Sequence, residues 1–322
     1  MERIAFVFPG QGSQSVGMGK ALAAASPAAA AVMAEADAAL GSSITRLAFD
    51  GPAEELDLTI NAQPAIVATS IAFLAALRER WAAAGIDAPT PAFIAGHSLG
   101  QYSAMVAAGV ISLADAVRLV RERGLQMQAS GQGRSGAMAA ILGLDDARIP
   151  DLLALGAPHG SVTVANRNSP GQIVISGDRA AVEAAVAGVK ELGAKRGIVL
   201  PVSVAAHSAL MAEAAEGMAR VLAPIPFADP SAPLVANSDA RPITTGADAR
   251  AELIEHLTRG VDWVAAINRM TAAGVTTFVE IGPGKVLTGL IKRIAPEATA
   301  LSTDETSADG SVAVPFIEAA AR

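Results

Sequence analysis

The chain has no cysteine, and that absence excludes disulfides, thiolate metal sites and a cysteine nucleophile together. Histidine is scarce. His97, His159, His207 and His256 are the only four in 322 residues, and no pair shows metal-ligand spacing, so no metal is expected. Basic residues are scattered and the formal charge is −7 at pH 7, which argues against a nucleic-acid partner. Long apolar runs are missing too, although 52% of the residues are hydrophobic. The longest candidate, Ala65 to Leu77, is interrupted by Thr69 and Ser70 and is too short to span a bilayer, so no membrane association is expected. Met1-Glu2-Arg3 leads straight into a strand-like Ile4-Ala5-Phe6-Val7-Phe8, unlike a secretory signal peptide. These absences fit a cytoplasmic enzyme, and nothing in the composition points beyond a monomer.

What is present begins with Gly96-His97-Ser98-Leu99-Gly100. The apolar run Ala92-Phe93-Ile94-Ala95 precedes it and a helix-compatible stretch from Gln101 to Gly109 follows. That strand–turn–helix context is what a nucleophile elbow requires. Flanking glycines let strand and helix approach without a Cβ clash, and the first helical turn offers free N–H groups to an oxyanion. A chain with 30 glycines can hold a bare G-x-S-x-G by chance, but the flanking elements favour a catalytic serine at Ser98.

Strand and helix signals alternate through the first 130 residues: the Ile4–Phe8 strand, a Pro9–Gln14 glycine-rich loop, helices around Lys20–Leu40 and Pro64–Ala84, the elbow strand and helix, and a helix capped by Ser112. Pro64 is placed in the first turn of its helix, where its missing N–H is harmless. The alternation predicts an α/β fold with a parallel sheet covered by helices, an α/β-hydrolase-like large domain. Gln132-Gly133-Arg134-Ser135-Gly136 reads as a boundary. Beyond it come a strand over Met138–Leu142, a helix over Ala147–Leu155, strands at Val162–Ala165 and Gln172–Ser176, a helix over Arg179–Leu192, and a strand over Lys195–Leu200. That β-α-β-β-α-β order describes an inserted ferredoxin-like subdomain, with Asn166–Gly171 as the turn between its middle strands. The expected division is 1–131 and 201–322 for the large domain and 132–200 for the small one. Weak patterning over the last twenty residues predicts poor order there.

A serine hydroxyl needs a base at neutral pH. His207 is the best candidate, because it follows a strand-like Leu200–Val204 in a small-residue turn, and serine before histidine is the α/β-hydrolase order. His97 adjoins the serine, so its side chain points elsewhere and lines the pocket or packs. His159 reads as solvated, and His256, near a helix end at Arg259-Gly260, reads as a surface residue rather than the base. Asp239 and Asp262 are the carboxylates in range to orient His207, and neither sits in a convincing loop; a main-chain carbonyl could do the same work.

Six spaced segments then occur in order: Phe8–Gln14, Gly96–Gly100, Gly136-Ala137-Met138-Ala139-Ala140, Asn168–Gln172, Pro201–Val204 before His207, and Glu280-Ile281-Gly282-Pro283-Gly284-Lys285. Over about residues 3 to 300 the chain resembles the malonyl-CoA:acyl-carrier-protein transacylase family, the loading enzymes of bacterial fatty-acid synthesis. The resemblance implies a ping-pong cycle in which Ser98, activated by His207, takes a malonyl group from malonyl-CoA and yields it to the phosphopantetheine thiol of acyl carrier protein. It implies backbone N–H groups of Gln11 and Leu99 as the oxyanion hole. It further implies that Arg123 pairs with the malonyl carboxylate, that Gln63 and Asn168 line the pocket, and that the carbonyl of His256 orients the catalytic histidine. No cofactor of the enzyme's own is implied. Helical periodicity by itself does not select Arg123: Arg118 falls opposite the apolar stripe, and Arg121 and Arg123 both lie at its edges.

Two departures stand out. Gln101 follows the elbow where the family usually has Glu, and His256 stands where Gln or Asn is common. An acidic carrier protein also needs a local basic patch on this acidic chain. The candidates are Lys190, Lys195 and Arg196, and Lys285, Lys292 and Arg293. Rival readings are a serine esterase, which needs no internal arginine, a malonyl-loading acyltransferase of polyketide synthesis or malonate decarboxylase, and a non-catalytic carrier-docking module.

Overall fold

Parallel strands buried on both faces need continuous apolar runs, and Ile4–Phe8 is such a run with every residue buried. The computed structural model describes residues 3–131, 135–202 and 204–304. In chain order its strands are β1 (Ile4–Phe8), β2 (Phe93–Gly96), β3 (Gly136–Leu142), β4 (Val162–Ser169), β5 (Gln172–Asp178), β6 (Arg196–Val199), β7 (Leu234–Val235), β8 (Pro242–Ile243), β9 (Val261–Asp262), β10 (Thr277–Glu280) and β11 (Thr299–Ser302). They form two sheets, a six-stranded one ordered β11-β10-β1-β2-β7-β8 and a five-stranded one ordered β6-β3-β5-β4-β9.

The first sheet is parallel throughout except at its β7–β8 edge, which is antiparallel. Phe8 and Gly96 are register partners at the carboxyl ends of β1 and β2. The Gln11 loop and the Ser98 elbow therefore leave the sheet side by side. β7 flanks β2 on its other side and carries the chain on to Asn237. Loops at the carboxyl edge of a parallel sheet are where such folds build sites.

The second sheet follows the expected order. β3 pairs antiparallel with β5 and β6, and β5 with β4, with the helices Ile149–Gly156 and Arg179–Gly188 between them. Two details differ from expectation. β4 runs on to Ser169, leaving only Pro170-Gly171 for the turn; register shifts at Val164/Asn166 and Arg167/Ser169 let the polar Asn-Arg-Asn stretch stay in the ladder. β9, far along the chain, pairs parallel with β4 through Asn166 and Arg167. The boundary residues Gln132-Gly133-Arg134 lie outside the described residues, as do all but two of the last twenty.

Among the helices, the Lys20–Leu40 stretch breaks in two at Ser26, whose hydroxyl accepts from Ala29 N–H while Pro27 begins the second helix Pro27–Leu40. Pro64 is not in the first turn. The helix Thr59–Ala83 starts five residues earlier than expected and contains Pro64, which removes only the donor that would reach Ile60. By length and composition this helix could cross a membrane, but 83% of its most apolar window is buried in the fold, as befits a core helix. It packs on the helix Leu113–Ser130 so closely that a Cβ on Gly124 would lie 3.0 Å from the Ile60 Cα. That contact carries Gln63 on one helix to Arg123 on the other.

Candidate active site

The nucleophile candidate is held in a strained turn. Ser98 has φ 50°, a left-handed conformation that side chains other than glycine rarely adopt. The residues two positions to either side must be glycines: a Cβ on Gly96 would lie 2.0 Å from Gly100 C, and one on Gly100 would lie 2.1 Å from Phe8 O. The Ser98 N–H donates to Asn237 Oδ1 at 2.8 Å, so the end of β7 steadies the turn. Gln101 joins the same brace. Its Oε1 accepts from Gly96 N–H at 3.1 Å and its Nε2 donates to the Val235 carbonyl at 3.2 Å. An ionised carboxylate has no donor for the second bond, so the amide suits this site.

Ser98 Oγ lies 2.8 Å from His207 Nε2. His207 Nδ1 lies 2.6 Å from the His256 carbonyl and 3.1 Å from that of Arg259. Two carbonyls on Nδ1 require Nδ1–H, which leaves Nε2 as an acceptor for the serine proton. Burial, then the nearby Arg123 charge, lower the His207 pKa to about 4 against the pull of the carbonyls. The imidazole is thus neutral at physiological pH, with the Nε2 lone pair free to accept a proton. Neither candidate carboxylate reaches it: Asp239 bonds Arg241, and Asp262 caps the helix Trp263–Ala272. His256 is not at the surface. It is fully buried at the end of the helix Gly246–Glu255, because its ring packs between Tyr102 and His207.

Arg123 is 2% exposed. Its NH1 donates to Gln63 Oε1 at 2.8 Å, and its NH2 lies 3.2 Å from Ser98 Oγ and 3.4 Å from His256 Nε2. Among the described residues no carboxylate comes within ion-pair distance of it, and its Nε–H is buried without a partner. Arg118 on the same helix is exposed and donates to the Ala39 carbonyl. Gln63 differs from expectation. It is fully buried behind Arg123, holding the guanidinium rather than lining the cavity.

A cavity of about 460 Å³ opens onto these groups, walled by the Gln11 loop, the elbow, β4 and β5, the residues Leu200, Pro201, Val202, Val204 and Ala206, and the helix Val286–Ile294. Gln11 and Leu99 both line it, and among the described residues neither backbone N–H has a protein acceptor. Asn168 is on the wall as expected; its Oδ1 lies 2.9 Å from His97 Nε2, and the His97 ring packs edge-on against Trp263 at 5.5 Å. His159 is exposed and far from this cluster in role. No group of three or more metal-ligating side chains occurs among the described residues.

Several supporting residues escape sequence reasoning. Asn237 is one, although a polar residue just past a strand adjacent to the elbow is a natural acceptor for its N–H. Gln14 is another: its side chain accepts from Gly12 N–H and donates to Asp57, shaping the Gln11 loop. Glu280 caps the helix Val286–Ile294, accepting from Leu287 and Thr288 N–H at 3.0 and 2.7 Å.

The sequence matches the family described as acyl transferase domain over residues 5–308. It is 49% identical over 308 residues to the malonyl CoA-acyl carrier protein transacylase of Escherichia coli strain K12, covering 96% of this chain and 98% of that protein. The crystal structure of acyl-carrier-protein-S-malonyltransferase from Bartonella henselae matches with a TM-score of 0.91 at 42% identity, over 99% of this chain and 98% of that one. A malonyl-transacylase solved in complex with its type II PKS acyl-carrier protein matches with a TM-score of 0.89 at 42% identity, over 96% and 98%.

Proposed function

The chain belongs to the acyl transferase domain family, and from that premise we propose that it carries a malonyl group from malonyl-CoA to the phosphopantetheine thiol of acyl carrier protein through an ester on Ser98. The observation that carries this reading is Arg123, buried with no counter-charge among the described residues and 3.2 Å from the Ser98 hydroxyl. An uncompensated buried charge costs several kcal/mol, on the order of the penalty for stripping an ion of water. A site for neutral esters has no use for that penalty, whereas an acyl group ending in a carboxylate relieves it through two parallel hydrogen bonds.

The cycle balances on the side chains present. His207 Nε2 takes the Ser98 proton as Oγ attacks the thioester carbonyl, and the oxyanion is received by the N–H groups of Gln11 and Leu99. Collapse breaks the C–S bond, and the same proton passes to the coenzyme A sulfur. The carrier thiol then gives its proton to His207, attacks the malonyl ester and returns Ser98 to its starting state. No cofactor of the enzyme's own takes part; the phosphopantetheine arm belongs to the carrier.

In this reading the first sheet and its helices, residues 1–131 and 201–322, are an α/β-hydrolase-like catalytic domain, and 132–200 a ferredoxin-like subdomain. The parallel sheet order and the β-α-β-β-α-β succession support the division, while β9 shows that the two share a sheet edge. The enzyme works in the cytoplasm in fatty-acid synthesis. Loading a polyketide carrier is the second reading, favoured by the likeness to a transacylase held by a type II PKS carrier. Lys190, Lys195, Arg196, Lys285, Lys292 and Arg293 are exposed, and Arg293 donates to Gln172 on the cavity wall, which supports a docking role there.

Intact mass after mixing with malonyl-CoA, and then acetyl-CoA, tests the reading, with Ser98→Ala as control. A stable malonyl adduct on the unsubstituted protein that holo acyl carrier protein discharges is the expected result. Release of free malonate without carrier would instead make this a hydrolase.

A further inference from the structure

Arg123 cannot orient itself. A guanidinium on a flexible stem keeps one direction only if its N–H groups have fixed acceptors. Gln63 supplies one to NH1. On NH2 the two acceptors are Ser98 Oγ and His256 Nε2. Ser98 Oγ becomes an ester oxygen during the cycle, so it is not a constant partner. His256 Nε2 is.

The acceptor state of that nitrogen is built in. His256 Nδ1 lies 2.9 Å from the Glu252 carbonyl, which can only accept, so Nδ1 carries the proton and Nε2 presents its lone pair toward Arg123. The ring has no room to turn away, being fully buried with Tyr102 on one side and His207 on the other. Burial first, then the charge of Arg123, hold the His256 pKa well below its ordinary value, so the acceptor form persists at neutral pH.

We propose that the imidazole of His256 is a positioning residue for the Arg123 guanidinium, and so for selection of a carboxylate-bearing acyl group, separately from the main-chain carbonyl by which the same residue orients His207. The inference rests on the proposed malonyl transfer and assigns a role to the side chain itself. It also accounts for histidine at a position where Gln or Asn is common in the family, since an amide side chain can likewise offer an acceptor.

The two roles of His256 separate by substitution. His256→Phe keeps the carbonyl and most of the ring volume but removes the acceptor; His256→Gln keeps an acceptor. Steady-state transfer from malonyl-CoA and from acetyl-CoA is measured for both, beside Arg123→Ala. In His256→Phe the kcat/KM for malonyl-CoA should fall about 10-fold further than that for acetyl-CoA, the scale of one hydrogen bond to a charged group. His256→Gln should restore most of the malonyl kcat/KM. Equal losses for both acyl groups in His256→Phe, or no change, would overturn the proposal. Arg123→Ala reports on the underlying reading independently: if it fails to discriminate between the two donors, malonyl clamping itself is wrong. A measurement on the unsubstituted protein needs no variant to fold. Nitrogen-15 chemical shifts of the histidine rings at neutral pH should show His256 as the Nδ1–H tautomer with an unprotonated Nε2. An Nε2–H tautomer or an imidazolium there would equally overturn the proposal.

Discussion

The carbonyl oxygen of His256 lies 2.6 Å from Nδ1 of His207, in the place that a carboxylate occupies in a serine–histidine–aspartate site. A carbonyl fixes the tautomer without adding a full negative charge. Burial and Arg123 oppose protonation more strongly than the two carbonyls favour it, and the His207 pKa is lowered to about 4.

The pH dependence follows from that. His207 works as a base only when neutral, and its folded pKa lies below the ordinary value of about 6.5. kcat/KM for malonyl-CoA should therefore stay level as the pH falls through 6.5 and decline only toward a midpoint near 4. A pH–rate profile in the folded range with a midpoint close to 6.5 would contradict this. Stability shows the same sign: between those two values the unfolded chain takes up a proton that the folded one does not, so this group destabilises the fold as pH falls.

Arg123→Ala should abolish most malonyl transfer while retaining some acetyl transfer. Two charge-assisted hydrogen bonds to a carboxylate are together worth on the order of a 10²-fold or greater selective loss. Comparing kcat/KM for the two thioesters measures it. Equal losses would remove the carboxylate clamp.

Gln101→Glu restores the residue more usual in the family but deletes the donor to the Val235 carbonyl and places a carboxylate in a fully buried site. Unfolding free energy at pH 7 should drop by about 1–3 kcal/mol, the penalty for leaving a buried polar group unpaired. Protonation restores a donor, so the gap should narrow at pH 5. Chemical denaturation at both pH values checks the size and the pH trend.

Charge reversal at Lys195 and Arg196, both exposed beside the cavity-lining Leu200 stretch, should raise the KM for carrier protein several-fold and leave that for malonyl-CoA unchanged. The effect should shrink as salt is added, because exposed charges are screened. Unchanged carrier kinetics would dismiss this patch.

The turn at Ser98 was legible because such an elbow imposes local chemistry: glycines at fixed offsets, a strand before and a helix after. The ladder order of the second sheet was legible for a similar reason, since turns and apolar runs are local. What failed was tertiary. Pro64 reads as a helix start, yet burial of the whole Thr59–Ala83 segment carries the helix past it. Asn166, Arg167 and Asn168 read as a turn, yet pairing with β5 and β9 draws them into a strand. Arg123 and Arg121 occupy equivalent edges of one helical stripe, so helical periodicity could not choose between them; the resemblance did, and the structure shows Arg123 held by Gln63 of the neighbouring helix. Polarity misread His256 too, because a histidine that satisfies Glu252 and Arg123 can be fully buried at no loss of hydrogen bonding.

The lone charge of Arg123 has a consequence for the empty enzyme. A cation enclosed without an anion is a standing strain on the folded state, and any small dicarboxylate that enters the cavity relieves it without being a substrate. Free malonate should therefore act as a folding ligand. At a hundred times its dissociation constant it should add about 2.7 kcal/mol to stability. The resting protein is thus least stable when it has nothing to carry, and its melting temperature reads out the occupancy of the site.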